Sequence, residues 1–313
     1  MTAEPEAIGE SAWPTADPPP TMIPTDPPPT PKRRRRVGWI ITVVLLSLAL
    51  LAVVGYLLLV LTRLDAANTT IEEQEEIIDS KEIFSAAMQD LVDTAARFEG
   101  SRFVTLVPDR QMASIAERAW DARWNLERVD DQTRAARDLT TELEGVLEAA
   151  TAQSSANASA SAAEGVVDTL GAGFLATVFD DADTLCEREV LGCVRSDDPY
   201  TIHFDTADLG LPYMNDWLWT GIAYHEVAHA LQFANPQTTA DAAEAFGGDW
   251  ETMADCFALT LLPGWALDQE VWVSRVEYWE VSLGYGYTCD ETQRQVIRDW
   301  YDASVYHAEP IAQ

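Results

Sequence analysis

Basic side chains are scarce in this chain. Two lysines stand beside eighteen arginines, and beyond position 63 there are 14 basic against 47 acidic residues, a balance of −33. A surface that acidic repels nucleic acid and anionic headgroups, which argues against a nucleic-acid partner, and it attracts cations and basic partners. The low lysine share is also a compositional sign of a GC-rich, bacterial genome. Proline is sparse beyond residue 31: residues 1–31 hold ten of the sixteen. Histidine and cysteine number four each, and all eight lie beyond position 165. Long apolar runs are missing, with one exception: the 26 residues from Val37 to Thr62 carry no charge.

That exception organises the chain. Residues 1–36 repeat "DPPP" and end in "KRRRR". They cannot bury enough apolar surface to offset their ordering entropy, so they read as a disordered cytosolic tail with local polyproline character. Residues 37–62 are long enough for one transmembrane helix with some tilt. A cleaved signal peptide is disfavoured, because its apolar core runs to only about 7–15 residues and a small-residue cleavage site follows it. With the basic cluster directly before the span, the positive-inside rule puts the N-terminus in the cytosol and the rest of the chain outside the cell membrane.

Residues 64–150 carry helical spacing in two segments separated by Pro108, and read as a helical stalk or hairpin. Ile71, Ile78, Phe84, Met88, Leu91 and Val92 fall near one stripe, and Ile115, Ala119, Leu126 and Val129 near another. Trp120 and Trp124, four apart, read as a packing stripe. The run "TAQSSANASASAAEG" at 151–165 is small and polar, which suits a linker. Residues 166–313 have the composition of a compact catalytic domain. Four cysteines in an extracytoplasmic domain suggest disulfides. Cys186 with Cys193 and Cys256 with Cys289 is one pairing, and Cys193 with Cys256 is its rival.

Within 166–313 the stretch "AYHEVAHALQF" (223–233) sets His225 and His229 four apart with Glu226 between them. On a helix, residues i and i+4 share a face, so both imidazoles can point at one metal ion. Leu218, Ile222, His225, His229 and Phe233 follow one stripe of a helix opened by Asn215 or Asp216 and stopped near Pro236. Histidines on an inward stripe are costly unless satisfied, and zinc would satisfy them. Glu226 then stands where a carboxylate can take the proton of a water activated by the metal. A catalytic site needs a third ligand. Glu251, in "GGDWETMADCFALTLL", is the candidate, with Glu244 and Asp249 as competitors; Asp255, one turn beyond, can hold a ligand's other ring N–H.

"HEVAH" followed by "ETMADCFA" resembles the glutamate-zincin pattern HExxH then ExxxD, and is most similar to the neutral zinc metallopeptidase family. "CVRSDDPYTIHFD" at 193–205 and "ETQRQVIRDWYDAS" near the C-terminus are similar to further segments of that family. The likeness covers roughly residues 190–305. It implies His225, His229 and Glu251 as zinc ligands, Glu226 as general base and Asp255 in support. It also implies an edge strand that receives substrate by strand addition, for which "TIHFD" at 201–205 is the candidate, with His203 at the rim. Family members often carry a His-Gly pair before the C-terminal helix, where this chain has "GYGYTCDETQR". Tyr285 and Tyr287, and more weakly His307, are therefore the candidate donors to an oxyanion.

The expected architecture is mainly α with a small β-sheet, an α+β zincin-like catalytic domain preceded by a helical stalk and one transmembrane helix. The expected activity is that of a membrane-anchored zinc metallopeptidase acting on a peptide or protein substrate. Two alternatives compete with it. One is an inactive, zinc-stabilised ectodomain serving as a scaffold; the other is a receptor signalling through its Pro-rich tail.

Overall fold

A computed structural model describes residues 35–154, 157–186, 190–285 and 289–308. Residues 1–34 of the proline-rich tail, and with them the expectation of disorder there, lie outside the described residues. Helix α1 (Arg35–Ala96) is a single run of 62 residues. Its apolar part is long and apolar enough to cross a membrane, and no proline interrupts it. The described residues up to 69 and those from 70 onward form separate contact units.

In the second unit, the end of α1 packs with α2 (Asp109–Asp121) and α3 (Leu126–Ser154). Met88, Leu91 and Ala95 meet Met112, Ile115, Ala136, Leu139 and Leu143 in one buried cluster. Each buried leucine or isoleucine there contributes roughly 1.5–3 kcal/mol. The expected stripes are corrected in part. Ile71 and Ile78 stand 52% and 54% exposed: Ile71 lies well before the first buried residue of α1, and Ile78 lies on another face from Ser80, which is buried and donates to Asp130 of α3 at 2.8 Å. Trp120 and Trp124 are exposed rather than packed, with Arg123 over the first ring and Lys81 over the second. A cation above an indole face makes such exposure tolerable.

These helices were expected as a stalk set apart from residues 166–313 by a linker, and their packing differs. Tyr306, near the C-terminus, is buried among them. Phe98 stacks on Phe174 with centroids 5.6 Å apart, and Arg102 lies over the Tyr301 ring at 3.5 Å. The supposed linker is largely structured: α3 runs through Ser154, and α4 (Ala162–Gly171) opens on Ser161 as its cap. Between them the Glu164 carboxylate accepts the Ala158 and Ser159 amides at 2.7 and 2.6 Å and the Ser159 hydroxyl. Small polar residues look like a linker in sequence because their hydrogen bonds are invisible there.

Burial pushes the Glu164 pKa up, but those donors outweigh it and hold the group below its usual value. A depressed carboxylate stabilises the fold above its unfolded pKa of about 4.3 and loses that contribution as pH falls through its folded value. Glu164→Gln is expected to cost about 1–3 kcal/mol at pH 7, with the gap narrowing below about pH 4. Thermal melts of the two proteins across pH check this.

The site is framed by a three-stranded sheet and two helices. Strands β1 (Ala176–Asp180), β2 (Gly192–Arg195) and β3 (Asp198–Asp205) lie in the order β1-β3-β2, with β1 parallel and β2 antiparallel to β3. A one-turn helix α5 (Ala182–Leu185) follows β1. Alternation in "TIHF" puts Ile202 and Phe204, both fully buried, on the inner face, where Phe204 meets Trp219 edge-on at 5.8 Å. The sequence reading made 201–205 an edge strand; it is instead central, paired on both sides. The cause is "ATVFD", a strand not anticipated, which fills the far side.

Helix α6 (Asp216–Ala234) crosses the sheet and packs against α4 and α8 (Trp250–Leu261). Asn215 caps α6 through Leu218 N at 3.0 Å, and Pro236 opens the next helix, α7 (Pro236–Ala243). A hairpin of β4 (Asp268–Trp272) and β5 (Tyr278–Ser282) then leads to α9 (Glu291–Ala303), started by a capping box at Asp290. The disulfides are Cys186–Cys193 and Cys256–Cys289, so the rival pairing is excluded. The architecture is mainly helical with two small sheets.

Candidate metal centre

Packing α8 on α6 brings the charged residues of both helices to one cavity of about 520 Å³. Asp249 caps α8, accepting the Glu251 and Thr252 amides at 3.0 and 3.3 Å, which points the first turn at α6. His225 Nε2, His229 Nε2 and Glu251 Oε2 then form a triangle with edges of 3.0, 3.1 and 3.2 Å. Three donors bound at about 2.0–2.1 Å around one tetrahedral ion lie roughly 3.3 Å apart. The triangle therefore fits a metal ion, and these three residues form the metal-capable cluster among the described residues. Of the competitors, Asp249 is occupied as a cap, and Glu244 starts a 3-10 turn (Glu244–Phe246) outside the cavity lining.

Both imidazoles are oriented from behind. His225 Nδ1 donates to Asp255 Oδ1 at 2.9 Å, one turn beyond Glu251 on α8. His229 Nδ1 donates to Gln232 Oε1 at 2.8 Å. The sense of that second bond follows from Gln232 Nε2, which must donate to the Trp250 carbonyl at 3.0 Å, leaving the amide oxygen for the histidine. With Nδ1–H spent in this way, neutral rings carry their lone pairs on Nε2, towards the Glu251 carboxylate. A positive charge belongs in the middle, either a metal ion or a proton.

Electrostatics agree with that demand. Burial lowers the His225 pKa, yet hydrogen bonds to Asp255 and Glu251 and the Glu226 charge carry it to about 10. Burial raises Glu251, but its hydrogen bonds to the two histidines hold it well below the usual carboxylate range.

No family model, curated protein or solved structure matches the chain. The site is therefore read from its own geometry.

Glu226 lines the same cavity and is 4% exposed, and its Oε2 has no hydrogen-bond partner among the described residues. Burial pushes its pKa up. A buried carboxylate oxygen left unpaired is costly, and such groups call for an absent partner. Gly192 of β2 lies against its side chain.

Tyr285 also faces the cavity, its ring stacked 6.5 Å from that of His225 and its amide donating to Asp255 Oδ2 at 2.8 Å. That amide reaches the carboxylate because Gly284 has φ +92° and leaves Asp255 Oδ2 2.5 Å from where a Cβ would stand, a position only glycine fits. Desolvation, then the charge of Glu251 and a hydrogen bond to it, raise the Tyr285 phenol to about 12.

Other sequence candidates sit elsewhere. His203 pairs with Asp180 at 2.8 Å outside the cavity lining. His307 is exposed and pairs with Glu99 at 3.0 Å, so it is no donor to this site. Tyr287 lies outside the described residues. Gln232 was missed, although its place three residues after His229, on the same helix face, was the available signal.

Proposed function

We propose that the chain is a membrane-anchored, zinc-dependent metallopeptidase of the glutamate-zincin type, hydrolysing peptide bonds of a polypeptide outside the membrane. The observation that carries this reading is the pairing of a three-donor triangle with an unpartnered, buried carboxylate oxygen at Glu226 in one open cavity. Two imidazoles and a carboxylate with room for a further ligand suit catalytic zinc. Zinc held by His225, His229 and Glu251 would supply Lewis acidity and lower the pKa of a water molecule towards about 7.

The chain's own residues do the rest. Glu226 accepts a proton from the attacking water as its oxygen bonds to the carbonyl carbon, then delivers that proton to the leaving amine nitrogen as the C–N bond breaks. Asp255 and Gln232 hold the imidazoles in the ligating tautomer. The Tyr285 phenol donates to the carbonyl oxygen as negative charge grows on it. Strand β2 takes over the substrate-binding part expected of β3, because its far edge is unpaired among the described residues and Gly192, Cys193 and Val194 line the cavity. An extended peptide adds to such an edge through backbone hydrogen bonds.

The orientation rests on "KRRRR" before the span and a lone Arg63 after it. Pairing of all four cysteines supports an oxidising, extracytoplasmic compartment.

Metal analysis of the detergent-solubilised chain should find about one zinc, and cleavage of an unfolded protein should stop on chelation and return with zinc. Zinc without turnover, and unfolding on chelation, would replace this reading with a scaffold. Gln232→Leu keeps volume but abandons the His229 N–H and the Trp250 carbonyl, so zinc affinity is expected to fall about 10–100-fold. Competition against a chromogenic chelator reads it directly.

A further inference from the structure

Ile71 and Ile78 repeat at the seven-residue spacing of a coiled-coil seam, with Gln74 at the intervening seam position. In the amino-acid order the same period is preceded by Leu64 and Ala67. At about 100° per residue this stripe stands roughly opposite the face of α1 that carries Ser80, Ala87 and Leu91, the face packed on α2 and α3. Leu64, Ile71 and Ile78 are each more than half exposed, and residues 63–76 are exposed throughout. Such a stretch is a poor helix by itself. Glu72, Glu73, Glu75 and Glu76 repel one another at separations of three and four residues, and a helix with no apolar face covered is marginal in water.

We infer that the stripe from Leu64 to Ile78 is a dimerisation seam, covered by the same stripe of a second copy of this chain in a short parallel coiled coil. The seam depends on the membrane anchor of the proposed function and not on its peptidase chemistry. Orientation, polarity and charge all favour a second copy over a different helix. Every copy that crosses the membrane by residues 37–62 does so in one direction and to one depth, so identical stripes meet parallel and in register about a two-fold axis. Gln74 is the polar break in the stripe. Its amide is both donor and acceptor, so it pairs with its own copy across that axis and fixes the register. In parallel register the flanking positions bring Arg63 to Asn68, Thr70 to Glu75 and Ile77 to Glu82, so no like charges are opposed across the seam. Glu72, Glu73, Glu76 and Asp79 point away from it, and a basic helix would be drawn to those acids instead. The seam ends at Lys81, whose ammonium lies 3.9 Å from the centre of the Trp124 ring, in the loop between α2 and α3.

The test uses the whole chain reconstituted in lipid bilayers, with both disulfides left in place. Single cysteines are introduced along the seam by Ile71→Cys, Gln74→Cys and Ile78→Cys, and on the other side of the helix by Glu73→Cys and Glu76→Cys. On oxidation, a band of twice the chain mass should form at the seam positions and be lost at 73 and 76. Energy transfer between donor-labelled and acceptor-labelled chains then reads the strength of association. Ile71→Glu leaves the face packed on α2 and α3 untouched and should weaken association about 100-fold by opposing two charges in the seam. Mixing Ile71→Glu chains with Ile71→Lys chains should restore it. The cross-linking pattern needs no charged variant, so it decides alone if Ile71→Glu loses helical circular dichroism. Monomers at every protein-to-lipid ratio, or equal cross-linking on both sides of the helix, overturns the inference. Seam cross-linking that appears only with an added second protein also overturns it and gives the stripe to a foreign helix. Glu226→Gln should dimerise like the wild-type chain, so loss of the peptidase reading and loss of the seam are distinct outcomes.

Discussion

Glu226→Gln is expected to lower peptide cleavage by about 10²–10⁴-fold, the usual contribution of a positioned base, while zinc content stays the same. The amide matches the carboxylate in volume but cannot take a proton. Glu226 is outside the metal triangle and has a carboxylate oxygen without a partner among the described residues, so removing its charge spares the ligand set. Removal of an unpaired buried charge should also leave thermal stability unchanged or raise it. Measurement of kcat/KM, zinc per chain and Tm on one preparation separates these effects. Wild-type turnover in the variant would end Glu226's role; loss of metal together with activity would make it a ligand.

Glu251→Ala should have the opposite signature, with metal lost first and activity lost as its consequence. If the roughly 10–16 kcal/mol of a four-ligand structural zinc site is shared evenly, one ligand is worth about 3 kcal/mol, or two orders of magnitude in affinity. The variant should therefore recover part of its activity in excess zinc, which Glu226→Gln should not. Zinc titration of both variants, read by competition with a chelator and by cleavage rate, gives the contrast. Unaltered affinity in Glu251→Ala would return the third position to another group. Folding should survive, because Glu251 is partly exposed and α8 keeps its Asp249 cap.

The site was legible in unequal parts. His225 and His229 are four apart on one helix, so their convergence follows from helical periodicity alone. Asp255 stands in the same relation to Glu251. The choice of Glu251 over Glu244 and Asp249 could not come from spacing, since all three follow His229 beyond helix α7 and no local period links them to it. It was made by the Asp249 cap and by the seating of α8 on α6. Helical spacing puts Gln232 within reach of His229, but which way its amide points is decided only by the Trp250 carbonyl, 18 residues on. The strand assignment failed for a related reason. "TIHFD" has the alternation of a half-buried strand, but whether a strand is central or at an edge depends on which other segments pair with it.

Local rules are legible in the amino-acid order: one run of charge-free residues, helices where the apolar period is 3.6, a histidine pair on one face, an acidic surface. Tertiary structure alone decided what depends on distant segments meeting. It closed Cys256 on Cys289, put Tyr306 among the N-terminal helices, set β3 between two partners and laid Trp265 on Gly221. The physical reason is the range of the interactions. Backbone periodicity and capping act within a turn or two of the chain, whereas packing and ligand convergence are settled by side chains far apart in sequence competing for the same space.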